Sequence, residues 1–199
     1  MAGTRGTPSD VPPDFAARAA ELGALIRYHR GRYYNEDDPM TPAQLSALKA
    51  DILADPILAA QPMTPDGAFA IADAYNLAAV PAFTVWRTSV SAEQVMANGF
   101  IWTAVDSLTV GKARIWDWLS LLGALDASQS NIRAGIDATW VGTQADLAVR
   151  AAVYVVCKRL ATRAERLFAT GTGTDAAPGT MAFEGILSVD DVQQARELP

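Results

Sequence analysis

Apolar residues recur at spacings of three and four along most of the chain, which predicts a mainly α-helical protein. The first well-bounded stripe, Leu45, Leu48 and Ile52, lies between two helix signals. Thr41-Pro42 suits the N-cap and first helical position, and Asp55-Pro56 is typical of a helix end. The pattern therefore predicts a helix that begins at Pro42 and ends near Asp55.

Similar stripes with capping residues predict further helices. They are expected from Pro65, from Ser91 to Gly99, from about Thr109 to Leu122, from Ser128 to Thr139 with a bend near Gly135, and from Ser188 onward. The longest is predicted over Gln144 to about Ala169. Strand-like patterns occur only at residues 83–86 and 183–187. We therefore expect a mainly α fold: a compact multi-helix domain with a helical N-terminal appendage and at most one or two short strands.

The character of the sequence changes at residues 37–42. Residues 1–13 are rich in Gly, Thr and Pro and are predicted to be disordered, and a helical pattern follows from Asp14 to about Tyr34. The expected organisation is a disordered tail plus helical appendage over residues 1–39, followed by a helical domain over residues 40–199.

Composition narrows the functional classes. The chain has 199 residues, half of them hydrophobic, and a formal net charge of -6, which disfavours indiscriminate nucleic-acid binding. Cys157 is the only cysteine, so an intrachain disulfide is excluded. No apolar run approaches the roughly 18 to 20 residues of a membrane span, and the first residues lack a signal-peptide pattern. We expect a cytosolic protein that does not bind membranes.

The candidate catalytic motifs do not meet their chemical requirements. His29 and Cys157 are single residues in different segments, and Cys157 is predicted to be a small packed hydrophobe. The sequence Val110-Gly-Lys-Ala resembles the end of a phosphate-binding loop, but Ala113 replaces the hydroxyl residue that such loops require. The glycine-rich segment 171–180 follows a predicted helix and is interpreted as a mobile loop. We therefore predict no enzyme activity, no cofactor and no metal.

All five tryptophans lie within 55 residues, between Trp86 and Trp140. Such a concentration favours an aromatic core and interface over a set of stacking platforms for bases or sugars. Trp116 and Trp118 are two residues apart and cannot share one helix face. At least one of them is therefore expected to meet a second surface, in this chain or in a partner.

A basic stripe is predicted on the longest helix. Arg159, Arg163 and Arg166 recur at spacings of four and three, with Lys158 and Arg150 nearby. Three interpretations remain open: a solvated face with Glu165 close by, a subunit-pairing surface, and a nucleic-acid contact. The predicted partner-contact residues are Arg150, Lys158, Arg159, Arg163, Arg166 and, in the 171–180 loop, Asp175.

Residues 16–39 resemble the N-terminal subdomain of NAD-dependent DNA ligases, through His29, Tyr33-Tyr34 and Asp37-Asp-Pro. The resemblance implies that Tyr33 and Tyr34 occupy positions near the nicotinamide end of NAD. The family's acidic and tyrosine contacts are replaced at residues 43–47, and the lysine-containing adenylation motif is absent. The segment therefore does not make a competent ligase.

Residues 40–199 resemble a family of small tailed-bacteriophage and prophage proteins without a defined activity. The resemblance is carried by residues 66–77, 81–88, 110–118, 131–140 and 158–168 and by the loop at 171–175. The resemblance implies a phage context, among the genes that encode particle-building proteins. It also implies that the family domain begins near Met40 and that residues 1–39 are dispensable.

Together these patterns lead to one functional hypothesis and one main alternative, with an enzyme whose site is unrecognised as a second alternative. The hypothesis is a non-enzymatic virion, tail- or connector-module structural or assembly protein, which acts through contacts with phage structural proteins or with itself. It would act in the host cytoplasm during assembly, and in the virion if it is retained. The main alternative is a nucleotide- or DNA-associated accessory protein that uses Tyr33 and Tyr34.

Overall fold

The computed structural model describes residues 39–97 and 100–199. Residues 43–199 make up one compact unit. Helices dominate the described part, as the sequence predicts. They are α1 (Pro42–Ala54), α2 (Pro56–Ala59), α3 (Pro65–Asn76), α4 (Ala92–Ala97), α5 (Trp102–Val105), α6 (Val110–Leu121), α7 (Ser130–Thr139), α8 (Gln144–Val156), α9 (Arg163–Leu167) and α10 (Val189–Glu197).

Short strands are more numerous than the sequence predicts. The described residues contain six, in three antiparallel pairs, so the expectation of at most one or two is wrong. The strands are β1 (Thr84–Trp86) with β4 (Lys158–Leu160), β2 (Val90–Ser91) with β3 (Ala124–Leu125), and β5 (Ala169–Thr170) with β6 (Thr180–Met181). The strand expected at residues 83–86 is confirmed, whereas residues 183–187 form no strand.

Several predicted helix starts are confirmed by their capping hydrogen bonds. The Thr64 hydroxyl accepts from the amide of Gly67 at the start of α3. The Ser188 side chain and the third residue of α10 form a complete capping box. The sequence left open an interruption or a bend near Gly135; α7 continues through that residue, so it is not interrupted there.

The predicted long helix over Gln144–Ala169 is wrong. Helix α8 ends at Val156, and the chain then forms β4 and the separate short helix α9. The break has two physical causes. Residues 158–160 pair with β1, and Thr162 forms a new capping box with Glu165.

The core on one side of the unit is aromatic. The rings of Trp116 and Trp140 meet edge to face at 5.2 Å, and Phe100 lies 5.7 Å from Trp116 and 5.6 Å from Trp140. Apolar residues of α4, α7 and α8 surround these rings. The predicted role of the tryptophans as core residues is thus confirmed for Trp116 and Trp140.

On the other side, α10 packs against α3. Ile71 and Tyr75 of α3 and Val192 and Ala195 of α10 are completely buried. The segment before α10 is also fixed, because Asn76 exchanges two side-chain hydrogen bonds with the backbone of Leu187.

The glycine-rich loop between β5 and β6 packs against β1. The Thr84 amide donates to the Gly173 carbonyl at 2.7 Å, and the Trp86 amide donates to the Gly179 carbonyl at 3.0 Å. Gly173 has a positive φ of 66°, and a Cβ there would lie 2.1 Å from the ring of Phe83. Glycine is therefore required by both backbone conformation and close packing. The segment is a loop, as predicted, but it follows strand β5 instead of a helix and is hydrogen-bonded to β1 at Gly173 and Gly179; its mobility stays a prediction.

Candidate protein-interaction surface

The arginines predicted to form one basic stripe lie on different elements. Arg150 is on α8, Lys158 and Arg159 are on β4, and Arg163 and Arg166 are on α9. The stripe was inferred from a continuous helix, and that helix is interrupted. The prediction of a single helical stripe is therefore wrong, although partner contact by the individual residues stays a prediction.

Arg159 binds an internal carboxylate in bidentate geometry. Its two terminal nitrogens donate to the two oxygens of Glu165, each at 2.7 Å, and one of them also donates to Glu184 at 3.0 Å. Thr88 donates its hydroxyl to Glu184. This network joins β4, α9 and the segment after β6 through paired charges, and it occupies the guanidinium.

The environment of Glu165 keeps its carboxyl group ionised. Burial raises the pKa of this carboxyl, but hydrogen bonds from Arg159 and from the amides of Thr162 and Gly185 outweigh burial, so the net pKa lies below its usual value. In turn, the hydrogen bond to Glu165 raises the pKa of Arg159. These shifts have a structural cause and need no catalytic role.

Arg163 also binds within the unit. It donates to Asp55 at 3.0 Å and to Asp51 at 3.1 Å, and its guanidinium carbon lies 4.6 Å from the centre of the Tyr75 ring. The Tyr75 hydroxyl donates to Asp51 at 2.5 Å. Arg163 therefore links α9 to the end of α1 and to α3 by ion pairs and a cation–π contact.

The remaining predicted contact residues have partners in the same chain. Arg166 donates at 2.8 Å to a backbone carbonyl at residue 80. Lys158 contacts the carboxylate of Asp175 at 3.1 Å, and Arg150 lies 3.6 Å from the carboxylate of Asp137. The structure thus accounts for every predicted basic residue as part of the fold.

A different surface stands out on α6, where two tryptophans lie on opposite sides of one helix. Trp116 is 5% exposed in the core, whereas Trp118 is 63% exposed. The prediction that they cannot share a helix face is confirmed. Other large apolar side chains on the outer face of α6 and its C-cap are also exposed. They are Val110, Leu121 and Leu122.

Two charged residues lie among these apolar side chains. Arg114 and Asp117 are exposed on α6, one turn apart, and neither makes an ion pair or hydrogen bond to another described residue. This contrasts with Arg159 and Arg163, whose charges are paired internally. The outer face of α6, defined as Val110, Arg114, Asp117, Trp118, Leu121 and Leu122, thus combines exposed apolar area with charges that have no partner in the described part of the unit.

The fold fixes the position of this face. The Thr109 hydroxyl caps the N-terminus of α6, and Lys112 donates to the carbonyl of Val141 at 2.6 Å. The inner side of the helix packs against α7, where a Cβ at Gly135 would touch Leu119 at 3.4 Å. The inner side of α6 is apolar, and the outer face carries four exposed apolar side chains beside its two charges. That much exposed apolar surface is unusual for a helix that borders solvent.

Exposed apolar residues elsewhere are spread over separate elements. They are Leu53 on α1, Ile57 on α2, Phe69 on α3, Val155 on α8 and Leu160 on β4, with Met63, Leu77, Val80, Ile101, Val141 and Ile186 in connecting segments. Single exposed apolar residues are ordinary on protein surfaces, whereas several on one helix face are typical of an interaction site. The outer face of α6 is therefore our candidate surface.

Within the described residues, potential metal ligands do not cluster and the single thiol is buried. No group of three or more His, Cys, Asp or Glu side chains in this part of the chain is arranged to hold a metal ion. Cys157 is completely buried, and burial raises the pKa of its thiol to about 11. No helix in the described ranges is long and apolar enough to cross a membrane. His29, Tyr33 and Tyr34 lie outside the described residues.

Sequence reasoning identified only part of the candidate surface. The spacing of Trp116 and Trp118 predicts that one ring leaves the core, but it does not tell which one. Arg114 and Asp117 were not singled out. The available signal was spacing: Arg114 lies four residues before Trp118 and Asp117 lies four residues before Leu121, which places all four on one helix face.

Comparison of the chain with protein-family models, curated protein sequences and solved structures gives no match. The geometry of the α6 surface is therefore the basis for proposing a docking role.

Proposed function

We propose that this protein is a non-enzymatic structural or assembly protein of a tailed bacteriophage, which acts by docking the outer face of α6 onto another protein surface. The observation that carries the proposal is the exposure of Trp118, 63%, beside Val110 and Leu121, which are 77% and 80% exposed. Tryptophan is enriched among the residues that dominate binding energy at protein interfaces.

The charge distribution supports protein contact over nucleic-acid contact. The chain has a net charge of -6, and the basic residues on β4 and α9 are engaged by carboxylates and carbonyls of the same chain. The outer face of α6 carries one arginine and one aspartate, a balanced pair that suits a protein surface with both signs of charge.

The phage context rests on the resemblance of residues 40–199 to small phage and prophage proteins. The experiment is quantitative mass spectrometry of purified particles from an induced prophage, compared with the lysate. Stoichiometric enrichment of the chain in particles supports a structural role. Abundance in the lysate together with binding to particle precursors supports an assembly role.

A matched pair of variants tests the surface. Trp118 and Phe69 have the same exposed fraction, 63%, but lie on different helices. Trp118→Ala should reduce incorporation into particles or precursors about 30-fold or more, whereas Phe69→Ala should leave it unchanged. Equal incorporation of both variants and the wild type would exclude the α6 surface as the docking site.

A further inference from the structure

The outer face of α6 has an order of residues that is complementary to itself. From the N-terminal to the C-terminal end it presents Val110, then Arg114, then Asp117 with Trp118, then Leu121. The two ends are apolar and the two central charges are opposite. If the helix is reversed and laid against a copy of itself, apolar ends meet apolar ends and each charge meets its opposite.

We propose that a second copy of the chain binds this face. The α6 helices of the two copies pack antiparallel, and the twofold axis between them passes beside residues 115 and 116. In this arrangement Arg114 lies opposite Asp117 of the second copy, and Val110 lies opposite Leu121 of the second copy. A twofold axis generates each contact twice, which is the defining property of an isologous interface.

The spacing of the exposed residues fits two packed helices. Positions 110, 114, 117 or 118, and 121 recur at intervals of four and three, the pattern that lets side chains of two nearly antiparallel helices interlock. Trp118 in this geometry also lies next to Arg114 of the second copy, and the guanidinium can stack on the indole face. The apolar contacts then surround a central pair of charge contacts.

The charges favour a second copy over an unrelated apolar partner. An apolar partner would bury the guanidinium of Arg114 and the carboxylate of Asp117 without opposite charges, and such desolvation is costly. A second copy supplies both opposite charges at the required places without any further component. The self-complementary order thus explains why Arg114 and Asp117, which have no charged partner in the described unit, lie within an apolar face.

The size of the outer face of α6 determines the affinity expected for the dimer. A helix of 12 residues is about 18 Å long, so the contact between two such helices is smaller than a standard interface. The dimer should therefore be weak, with dissociation in the micromolar range, and should be stabilised further when it joins a larger assembly. This inference rests on the proposed docking role of α6 and specifies its partner.

Charge-reversal variants test this dimer. The dissociation constant of the full chain is measured by sedimentation equilibrium from low to high micromolar concentration. In a dimer of Arg114→Glu alone or of Asp117→Lys alone, positions 114 and 117 of opposite copies carry like charges. The twofold axis repeats this repulsive contact. Each variant should dissociate about 10-fold or more readily than the wild type. Asp73→Lys, on the exposed side of α3, changes the net charge as Asp117→Lys does and should leave dissociation unchanged.

The decisive step is an equimolar mixture of the Arg114→Glu and Asp117→Lys proteins. Every charge contact in the mixed dimer is attractive again, because the new glutamate meets the new lysine and the original arginine meets the original aspartate. The mixture should therefore regain wild-type dissociation, and native mass spectrometry should detect mainly the mixed dimer. A parallel or asymmetric arrangement does not predict this recovery.

Three results would overturn the inference: a wild-type chain that stays monomeric at high micromolar concentration, single variants that dimerise like the wild type, or a mixture that fails to recover. Particle enrichment of the chain is measured independently. Enrichment without dimerisation rejects the second copy and leaves the proposed function in place, whereas dimerisation without any association with particles rejects the proposed function and leaves the dimer.

Discussion

Glu165 shows how one side chain links local and tertiary structure. It is 2% exposed, accepts two hydrogen bonds from Arg159, and caps the start of α9 by accepting from the amide of Thr162. An ionised carboxylate at this depth is tolerated because several donors surround it. Removal of its charge therefore weakens both the N-terminal cap of α9 and the ion pair with Arg159.

The first prediction concerns Glu165→Gln. Since its folded-state pKa is lowered, Glu165 contributes stability above the ordinary carboxyl pKa of 4.5, and this contribution is lost as the pH falls through the lowered value. At pH 7 the variant should lose about 2–3 kcal/mol of unfolding free energy, because Arg159 keeps only Glu184 as a charged partner. Urea denaturation at pH 7 and pH 3 measures both values.

The difference between the wild type and the variant should shrink as the pH falls below the ordinary carboxyl pKa of 4.5, because the unfolded chain then binds a proton at Glu165 more readily than the folded chain does. Glu184→Gln is the matched control, since the Glu184 side chain is 36% exposed and its contribution should be smaller at every pH. A difference between wild type and Glu165→Gln that does not change with pH would contradict the assignment of this stability to the ionised form.

A second prediction at the residue scale concerns the thiol of Cys157. Because burial excludes reagents and raises the pKa of the thiol to about 11, the native protein should react with a thiol-specific reagent far more slowly than a free cysteine at pH 8. The rate should increase to that of free cysteine in denaturing urea. Rapid labelling of the native protein would show that α8 opens near its C-cap.

At the scale of elements, the largest difference between prediction and structure is the end of helix α8. The apolar periodicity predicted a continuous helix to Ala169, because residues 158–168 are compatible with one. The pairing of β4 with β1 prevents this continuous helix, and it joins residues 72 to 76 positions apart, which periodicity cannot predict. Tertiary pairing thus overrides a modest helical preference.

One local signal was nevertheless present in the sequence. Thr162-Arg-Ala-Glu165 matches the capping-box pattern of a helix start, in the middle of the predicted long helix. The same pattern correctly predicted the starts of α4 and α10. Several helix starts, including those of α3, α4 and α10, were thus predictable from local chemistry, whereas the starts of α2 and α5 were not predicted. The short strands and the exposed side of α6 depend on three-dimensional packing.

The capping box of α9 gives the third prediction. Thr162→Ala removes the hydroxyl that accepts from the Glu165 amide at 3.2 Å, and should lower the unfolding free energy by about 1–2 kcal/mol. Thr162→Ser retains the hydroxyl and should lose much less. Chemical denaturation of the three proteins measures the effect, and equal losses for the two variants would indicate that the methyl group, not the cap, is what matters.

At the scale of the whole molecule, the tryptophans divide between two functions. Trp140 is completely buried between Phe100 and Trp116, and its indole N–H has no hydrogen-bond partner within the described part of the chain. Trp118 contributes its ring to the surface. One helix thus carries a residue that stabilises the fold at position 116 and a residue available for binding at position 118.

This division predicts that tryptophan-to-alanine substitutions at positions 140 and 118 affect different properties, the unfolding free energy and dimerisation, respectively. Trp140→Ala leaves a large cavity in the aromatic core and should lower the unfolding free energy by about 3–5 kcal/mol. Trp118→Ala should change it by less than about 0.5 kcal/mol when measured at low concentration, where the chain is monomeric, yet it should weaken dimerisation about 30-fold or more. Urea denaturation and sedimentation equilibrium of the same samples separate the two effects. If Trp118→Ala destabilised the monomer as much as Trp140→Ala, its ring would belong to the core, and the exposed face of α6 would lose its basis as a binding surface.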